Sequence, residues 1–148
     1  MRLTMMSDFA LRVLMFAAAH PGRLVTISEI LACQDIPRGH LMKIVGTLAG
    51  AGVLRTQRGR AGGFTLGRPA AEIRIGDVLR LTEPDFEMVE CFGARNACTI
   101  TGNCRLPEVV NAALAAFMAV MDGHTLADIV LQPRDFQRPP SEVQGPGT

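Results

Sequence analysis

Three of the four cysteines in this 148-residue chain, Cys91, Cys98 and Cys104, fall within fourteen residues of one another. They sit in the run Glu90-Cys91-Phe92-Gly93, then Cys98-Thr99-Ile100, then Gly102-Asn103-Cys104-Arg105-Leu106, which shows no hydrophobic period. Such a segment buries little, so something other than packing must order it. Thiolates favour soft or borderline ions, namely iron in clusters, zinc or copper(I), and an irregular loop can aim three sulfurs at one point. An iron-sulfur cluster is the leading reading. Structural zinc prefers four protein ligands, often from paired C-x2-C knuckles that are absent here, and three unrelated free thiols are the plain alternative. The ferredoxin run C-x2-C-x2-C is also missing. Its absence argues against a simple electron carrier and leaves a fourth ligand to be found elsewhere.

Compartment and charge narrow the class. Arg2 and Arg12 flank an apolar stretch that Asp8 interrupts, with no small-residue cleavage site after it, so no secretory signal is read. The expectation is a cytoplasmic chain with reduced thiols and no disulfides, and no apolar run meant to span a membrane. The net charge of +1 conceals a division: residues 1–70 carry nine basic and three acidic side chains, residues 71–148 six and eleven. A basic half suits a polyanion, although chance segregation of surface charge would look the same.

The elements that would position these groups follow from periodicity and punctuation. A helix is predicted from Ser7 to about His20, with Leu11, Leu14, Met15 and Ala18 recurring at three- and four-residue steps, and Pro21-Gly22 ending it. Thr26 and Glu29 read as a capping box, flanked by Val25 and Ile30 as its staple, for a short helix from about Ile27 to Cys33. After a turn at Gln34-Asp35-Ile36, Pro37 suits the first position of a third helix with Leu41, Ile44, Val45 and Leu48 on one side. Val53 to Gln57 reads as a strand, Arg58-Gly59-Arg60-Ala61-Gly62-Gly63 as a turn, and Phe64-Thr65-Leu66 as the returning strand. Two short helices and then a hairpin with a basic, glycine-rich tip make a winged helix-turn-helix.

In that reading Arg38, His40 and Lys43 meet base edges or phosphates of double-stranded operator DNA from the third helix, and Arg58 and Arg60 from the wing. His40 is as readily an inert surface residue, and His20 and His124, which flank helix ends, read as plain surface residues. Cys33 and the methionines read as packing residues. A further helix is predicted from Ile75 to about Leu81, and a long one beginning near Pro107 and Glu108. On the long helix Val110, Leu114, Phe117 and Met121 repeat at steps of four, three and four, with alanines between them, which suits a seam between two copies. A helix buried within one protomer is the alternative. Thr125 to Leu131 reads as a short helix, and the proline- and glycine-rich stretch from Pro133 as a disordered tail.

The expected fold is therefore α+β, mostly α. It comprises a winged helix-turn-helix over residues 1–83 whose first helix also serves the dimer, a cysteine loop over 84–106, a dimerisation helix region over 107–131 and a tail over 132–148. No nucleotide loop, catalytic triad or substrate-pocket motif is present, so an enzyme is not expected.

Several ordered motifs resemble a known family. Met1-Arg2-Leu3-Thr4 with Asp8-Phe9-Ala10-Leu11-Arg12, the Ile36-Pro37 start, the wing Arg58-Gly59-Arg60-Ala61-Gly62-Gly63-Phe64-Thr65-Leu66 and the three-cysteine loop are similar to the winged-helix iron-sulfur regulators. Within that family they most resemble the nitric-oxide-sensing repressors of the NsrR type. The resemblance implies a cytoplasmic homodimeric repressor that binds operator DNA with an intact cluster, 4Fe-4S or alternatively 2Fe-2S, and releases it when nitric oxide is the signal. It implies Asp8 as the fourth ligand beside Cys91, Cys98 and Cys104, reaching the cluster of the partner subunit. Relatives of the IscR type carry a histidine three residues after the last cysteine, where this chain has Pro107. A sensor of iron or cluster status, of the RirA or IscR type, shares the cysteine loop and is the alternative. Locally, Asp8 also reads as a first-turn carboxylate paired with Arg12 four residues on.

Overall fold

The computed structural model describes residues 2–136. Helix α1 (Met5–Ala19) starts where the extended Thr4 accepts a hydrogen bond from the Ser7 amide on its hydroxyl, 3.3 Å away. This satisfies one of the free donors of a helix start. Phe9, Ala10, Val13, Leu14, Phe16 and Ala17 recur at helical steps and are buried. The helix ends at His20, and Gly22 takes a positive φ of 79° in the turn that follows.

Helix α2 (Ile27–Cys33) has the full capping box: Glu29 N donates to Thr26 Oγ1 at 3.2 Å, and Thr26 N to Glu29 Oε2 at 2.8 Å. Burial pushes the Glu29 carboxyl up, but hydrogen bonds from Thr26 and Arg23 outweigh it and hold the group below its usual range. Helix α3 (Arg38–Gly50) begins one residue later than the sequence implied. Pro37 is the cap rather than the first helical residue, with φ −58° and an extended ψ of 134°. The ring holds φ while the open ψ swings the chain into the helix from outside. Leu41, Ile44, Val45 and Leu48 form the buried side of α3.

Strands β1 (Leu54–Gln57) and β2 (Gly63–Leu66) pair antiparallel, with Leu54 opposite Leu66 and Arg55 opposite Thr65. Val25 adds a third edge through reciprocal backbone hydrogen bonds with Phe64 of 2.9 and 2.8 Å. In the wing turn Gly59 has φ 115°, where a side chain would be strained. A Cβ on Gly62 or Gly63 would strike a backbone carbonyl, of Gln57 or Val25 respectively. Helix α4 (Ile75–Thr82) then lies along α1, where Ser7 Oγ and Thr82 Oγ1 are 2.7 Å apart and buried. One apolar cluster joins α1, α2, α3, the hairpin and α4. This is the α+β winged helix-turn-helix.

Residues 84–105 contain neither strand nor α-helix, only a 3-10 turn at Glu90–Phe92. Helix α5 (Leu106–Gly123) follows, and Met118 is its one buried residue. Val110, Leu114, Phe117 and Met121 are half-buried. Leu114 and Phe117 face residues 83–88 of the same chain across a cleft of about 570 Å³. The predicted seam is thus turned partly toward its own protomer. The most exposed line on α5 is instead Leu106, Val109 and Val120, at 54%, 65% and 58%. The sequence reading found no run fit to span a membrane, yet by length and composition alone α5 is long and apolar enough to cross one.

After α5 the chain re-enters the head: Leu126 is buried and its amide donates to Ile73 O at 2.7 Å, inside a 3-10 turn over Leu126–Ile129. The expected tail also needs correction at its start. Pro133–Phe136 forms a 3-10 turn, and the Phe136 ring meets Phe16 edge-on at 5.2 Å, because an aromatic there can cover the end of α1. The remainder of the expected tail, 137–148, lies outside the described residues.

Candidate metal loop and nucleic-acid interface

The cysteine loop is ordered by local hydrogen bonds rather than by burial. Glu90 Oε1 accepts from the Ala97 amide at 3.0 Å, which closes the first half of the loop. Asn96 Oδ1 accepts from the Cys98 amide at 3.0 Å, and Thr101 Oγ1 donates to the Cys98 carbonyl at 2.8 Å. Cys98 is therefore held on both sides of its backbone. Cys91 lies in the 3-10 turn, and Cys104 stands two residues before α5. All three thiols are free and half-buried. As a donor set, three accessible thiols on one loop fit thiolate ligation of an iron-sulfur cluster by their chemistry. They are not gathered into a cage: among the described residues no three His, Cys, Asp or Glu side chains converge to hold a metal ion.

Asp8 lies in the first turn of α1 and forms the local ion pair expected of it, with Arg12 Nη2 at 2.8 Å. Both side chains are about half exposed. Within the one chain Asp8 is not assembled with the cysteines. The start of α1 is nevertheless tied to the loop's entrance, since Glu83 Oε1 accepts from Thr4 N at 2.9 Å and from Thr4 Oγ1 at 3.1 Å. Cys33, read as core, is half-buried. Burial raises its thiol pKa, and Sγ donates to Glu29 O at 3.4 Å, as a packing residue would.

The far end of α5 is anchored to α4 by a joint the sequence did not reveal. Arg80 of α4 makes two hydrogen bonds to Asp122 of α5, at 2.6 and 2.7 Å. The Arg80 hydrogen bond holds the Asp122 carboxyl below its usual range, and Asp122 in turn raises Arg80. A Cβ on Gly76 would overlap the Asp122 carboxylate, so glycine is what lets the pair seat against α4. Forty-two residues separate Arg80 from Asp122. Spacing along the chain carries no signal for such a pair.

In the head, Arg38, His40 and Lys43 of α3 and Arg58 and Arg60 of the wing are all exposed. None of the four arginines and lysines among them forms an ion pair with another described residue. His40 leans back on α1, its ring centroid 6.1 Å from that of Phe9. The sequence reading passed over Arg55 and Arg68. Both line, with His20 and Arg23, a cleft of about 520 Å³ beside the hairpin. Alternation along the strand, with Arg55 next to the buried Leu54, is the signal that could have found the first of them.

A winged-helix head with free cations on α3 and the wing, followed by a cysteine loop and a long exposed helix, defines a transcription regulator rather than an enzyme. Residues 3–132 match the family described as "Rrf2: Iron-dependent Transcriptional regulator", and this chain belongs to the Rrf2 family. It is 45% identical over 140 residues to the HTH-type transcriptional regulator NsrR of Bacillus subtilis (strain 168), covering 93% of this chain and 96% of that one. Against the NsrR of Bacillus licheniformis it is 44% identical over 133 residues, 88% and 93% of the two chains. The solved structure of T. potens IscR shares the fold, with a TM-score of 0.68, 21% identity and coverage of 99% and 94%.

Proposed function

We propose that this regulator is a cytoplasmic, homodimeric repressor that senses nitric oxide, occupying operator DNA while an iron-sulfur cluster is bound and releasing it when the gas arrives. The observation that carries this reading is the 45% identity to a protein named NsrR along nearly the whole chain, cysteine loop included. Cys91, Cys98 and Cys104 would hold the cluster, most simply 4Fe-4S with 2Fe-2S as the alternative, and Asp8 of a second copy would supply the fourth ligand. When bound, that cluster would supply a nitric-oxide-reactive iron made comparatively exchangeable by its harder oxygen ligand. Asp8 would have to leave Arg12, but an exposed helical pair of this kind contributes only about 0.2 to 0.5 kcal/mol. Arg38, His40, Lys43, Arg58 and Arg60 would contact the duplex.

The ties in the fold support a route from loop to DNA. Thr4–Glu83 binds the α1 start to α4, and Arg80–Asp122 binds α5 to α4. A link between one subunit's Asp8 and the other's loop would then set the spacing of two heads. The loss of about 1.4 kcal/mol of preference for the DNA-competent spacing lowers affinity tenfold. The apolar line Leu106, Val109 and Val120 suits protein contact better than lipid, because Asp122 within the same helix is engaged by Arg80.

The test is retention of a duplex carrying the regulator's own promoter by protein kept free of oxygen, with nitric oxide added stepwise. Release on addition, blunted in Asp8→Ala, supports the reading; equal retention with and without the gas contradicts it. One observation favours a second reading, the family description's words "Iron-dependent", under which the signal is iron itself. In that case an iron chelator releases the duplex and nitric oxide does not.

A further inference from the structure

Met42 stands out on α3. It is 60% exposed, among the most exposed large apolar side chains described, on the helix that the proposed function places in the major groove. Helix geometry puts Leu41, Ile44, Val45 and Leu48 on one side and Gly39, Met42, Lys43 and Gly46 on the other. The solvent-facing side therefore carries one apolar group with Arg38 a turn before it and Lys43 next to it, and neither cation takes part in a described ion pair. A Cβ added at Gly39 or Gly46 meets nothing within 4 Å of its own chain, so packing does not demand glycine at either position. Glycine inside a helix destabilises it relative to alanine. What the two glycines provide is a low surface on which a helix can approach another body closely.

We propose that Met42 is a specificity-determining residue that reads the 5-methyl group of a thymine in the major groove of the operator. The inference rests on the DNA-binding reading above and deepens it. The occupant is double-stranded DNA by charge complementarity, because Arg38 and Lys43 on the same helix suit the flanking phosphates or guanine edges. Of the groups displayed in the major groove, only the thymine C5 substituent is apolar, so it alone rewards contact with a thioether chain. Arg38 and Lys43 hold register and supply the salt-dependent attraction, whereas Met42 discriminates thymine from cytosine.

The experiment begins with full-length protein purified without oxygen and a random pool of duplexes, from which bound sequences are enriched. Each thymine of the enriched duplex is then replaced singly by deoxyuridine, which removes only the methyl. The expected result is a thymine in each half-site whose replacement weakens the wild-type protein about fourfold, the magnitude of one buried methyl, with no further loss in Met42→Ala. Met42→Leu retains the dependence. Met42 is exposed, so neither variant threatens the fold, and thermal unfolding midpoints confirm that. Enrichment of a sequence in which no thymine methyl matters, or in which the same loss persists in Met42→Ala, overturns the proposal and leaves the DNA-binding reading standing. A pool that yields no enriched duplex overturns both.

Discussion

The head and the cysteine loop obey different rules although they adjoin at Glu83. Between α1 and α4 a continuous set of apolar side chains is buried, with Leu11, Met15 and Ala18 of the predicted α1 repeat only half-buried against it, and the buried hydroxyls of Ser7 and Thr82 pair with each other. From residue 84 to the end of α5 only Met118 is buried, and Ile100, Leu106, Val109 and Val120 face solvent. The head is folded by its own core. The loop and α5 are held by a few hydrogen bonds and by the Arg80–Asp122 joint rather than by a core of their own. That division suits a sensor, since a segment of low local stability is the one whose arrangement a ligand can change.

Variants can break or sharpen this contrast. The largest effect is expected in the head: Phe64→Ala removes a buried ring from the hairpin that stitches Val25 into the sheet, and should cost about 3 to 5 kcal/mol in denaturant unfolding. Under the proposed cluster ligation, removal of iron by a chelator should instead speed amide exchange across residues 84–105 and leave α1 to α4 unchanged. Equal protection in both regions before and after would erase the distinction drawn here. At the junction, Gly76→Ala improves helix propensity by about 1 kcal/mol, yet it should destabilise the α4–α5 contact because its methyl displaces Asp122. Comparing Gly76→Ala with Gly46→Ala, where space is open, separates the two effects. Thr26→Ala, which deletes one half of a capping box, should cost about 1 kcal/mol.

The smallest change is with pH. Asp122 has its folded pKa depressed, so its contribution is fully present above the ordinary aspartate value of 3.8 and is lost only as pH falls through the lower, folded value. Loosening of α5 from α4 on acidification, followed by amide exchange, should therefore begin only as pH falls below the ordinary aspartate value. Asp122→Asn abolishes that step.

The sequence disclosed what was local. The capping box at Thr26 and Glu29 gave α2 its bounds, the R-G-R-A-G-G turn located the wing, and the Asp8–Arg12 pair followed from spacing alone. Features set by distant partners were hidden. Nothing near Phe136 announces that it covers Phe16, and nothing near Gly76 announces a carboxylate from another helix. The α5 period was legible, but that Leu114 and Phe117 would also face Glu83 and residues 85–88 of their own chain depended on a distant segment. The three cysteines were legible as a candidate donor set, yet a loop without a hydrophobic period encodes no single arrangement of their sulfurs, and among the described residues they do not converge.

The central claim is that Cys91, Cys98 and Cys104, with Asp8, form an iron-sulfur site in a dimer. A native mass spectrum of protein purified without oxygen tests it most directly. The account predicts a dimer heavier by one four-iron, four-sulfide unit per subunit, with the added mass lost in Cys98→Ala. A mass that matches zinc or the bare chain would contradict it, leaving a winged-helix regulator whose signal has to be sought elsewhere.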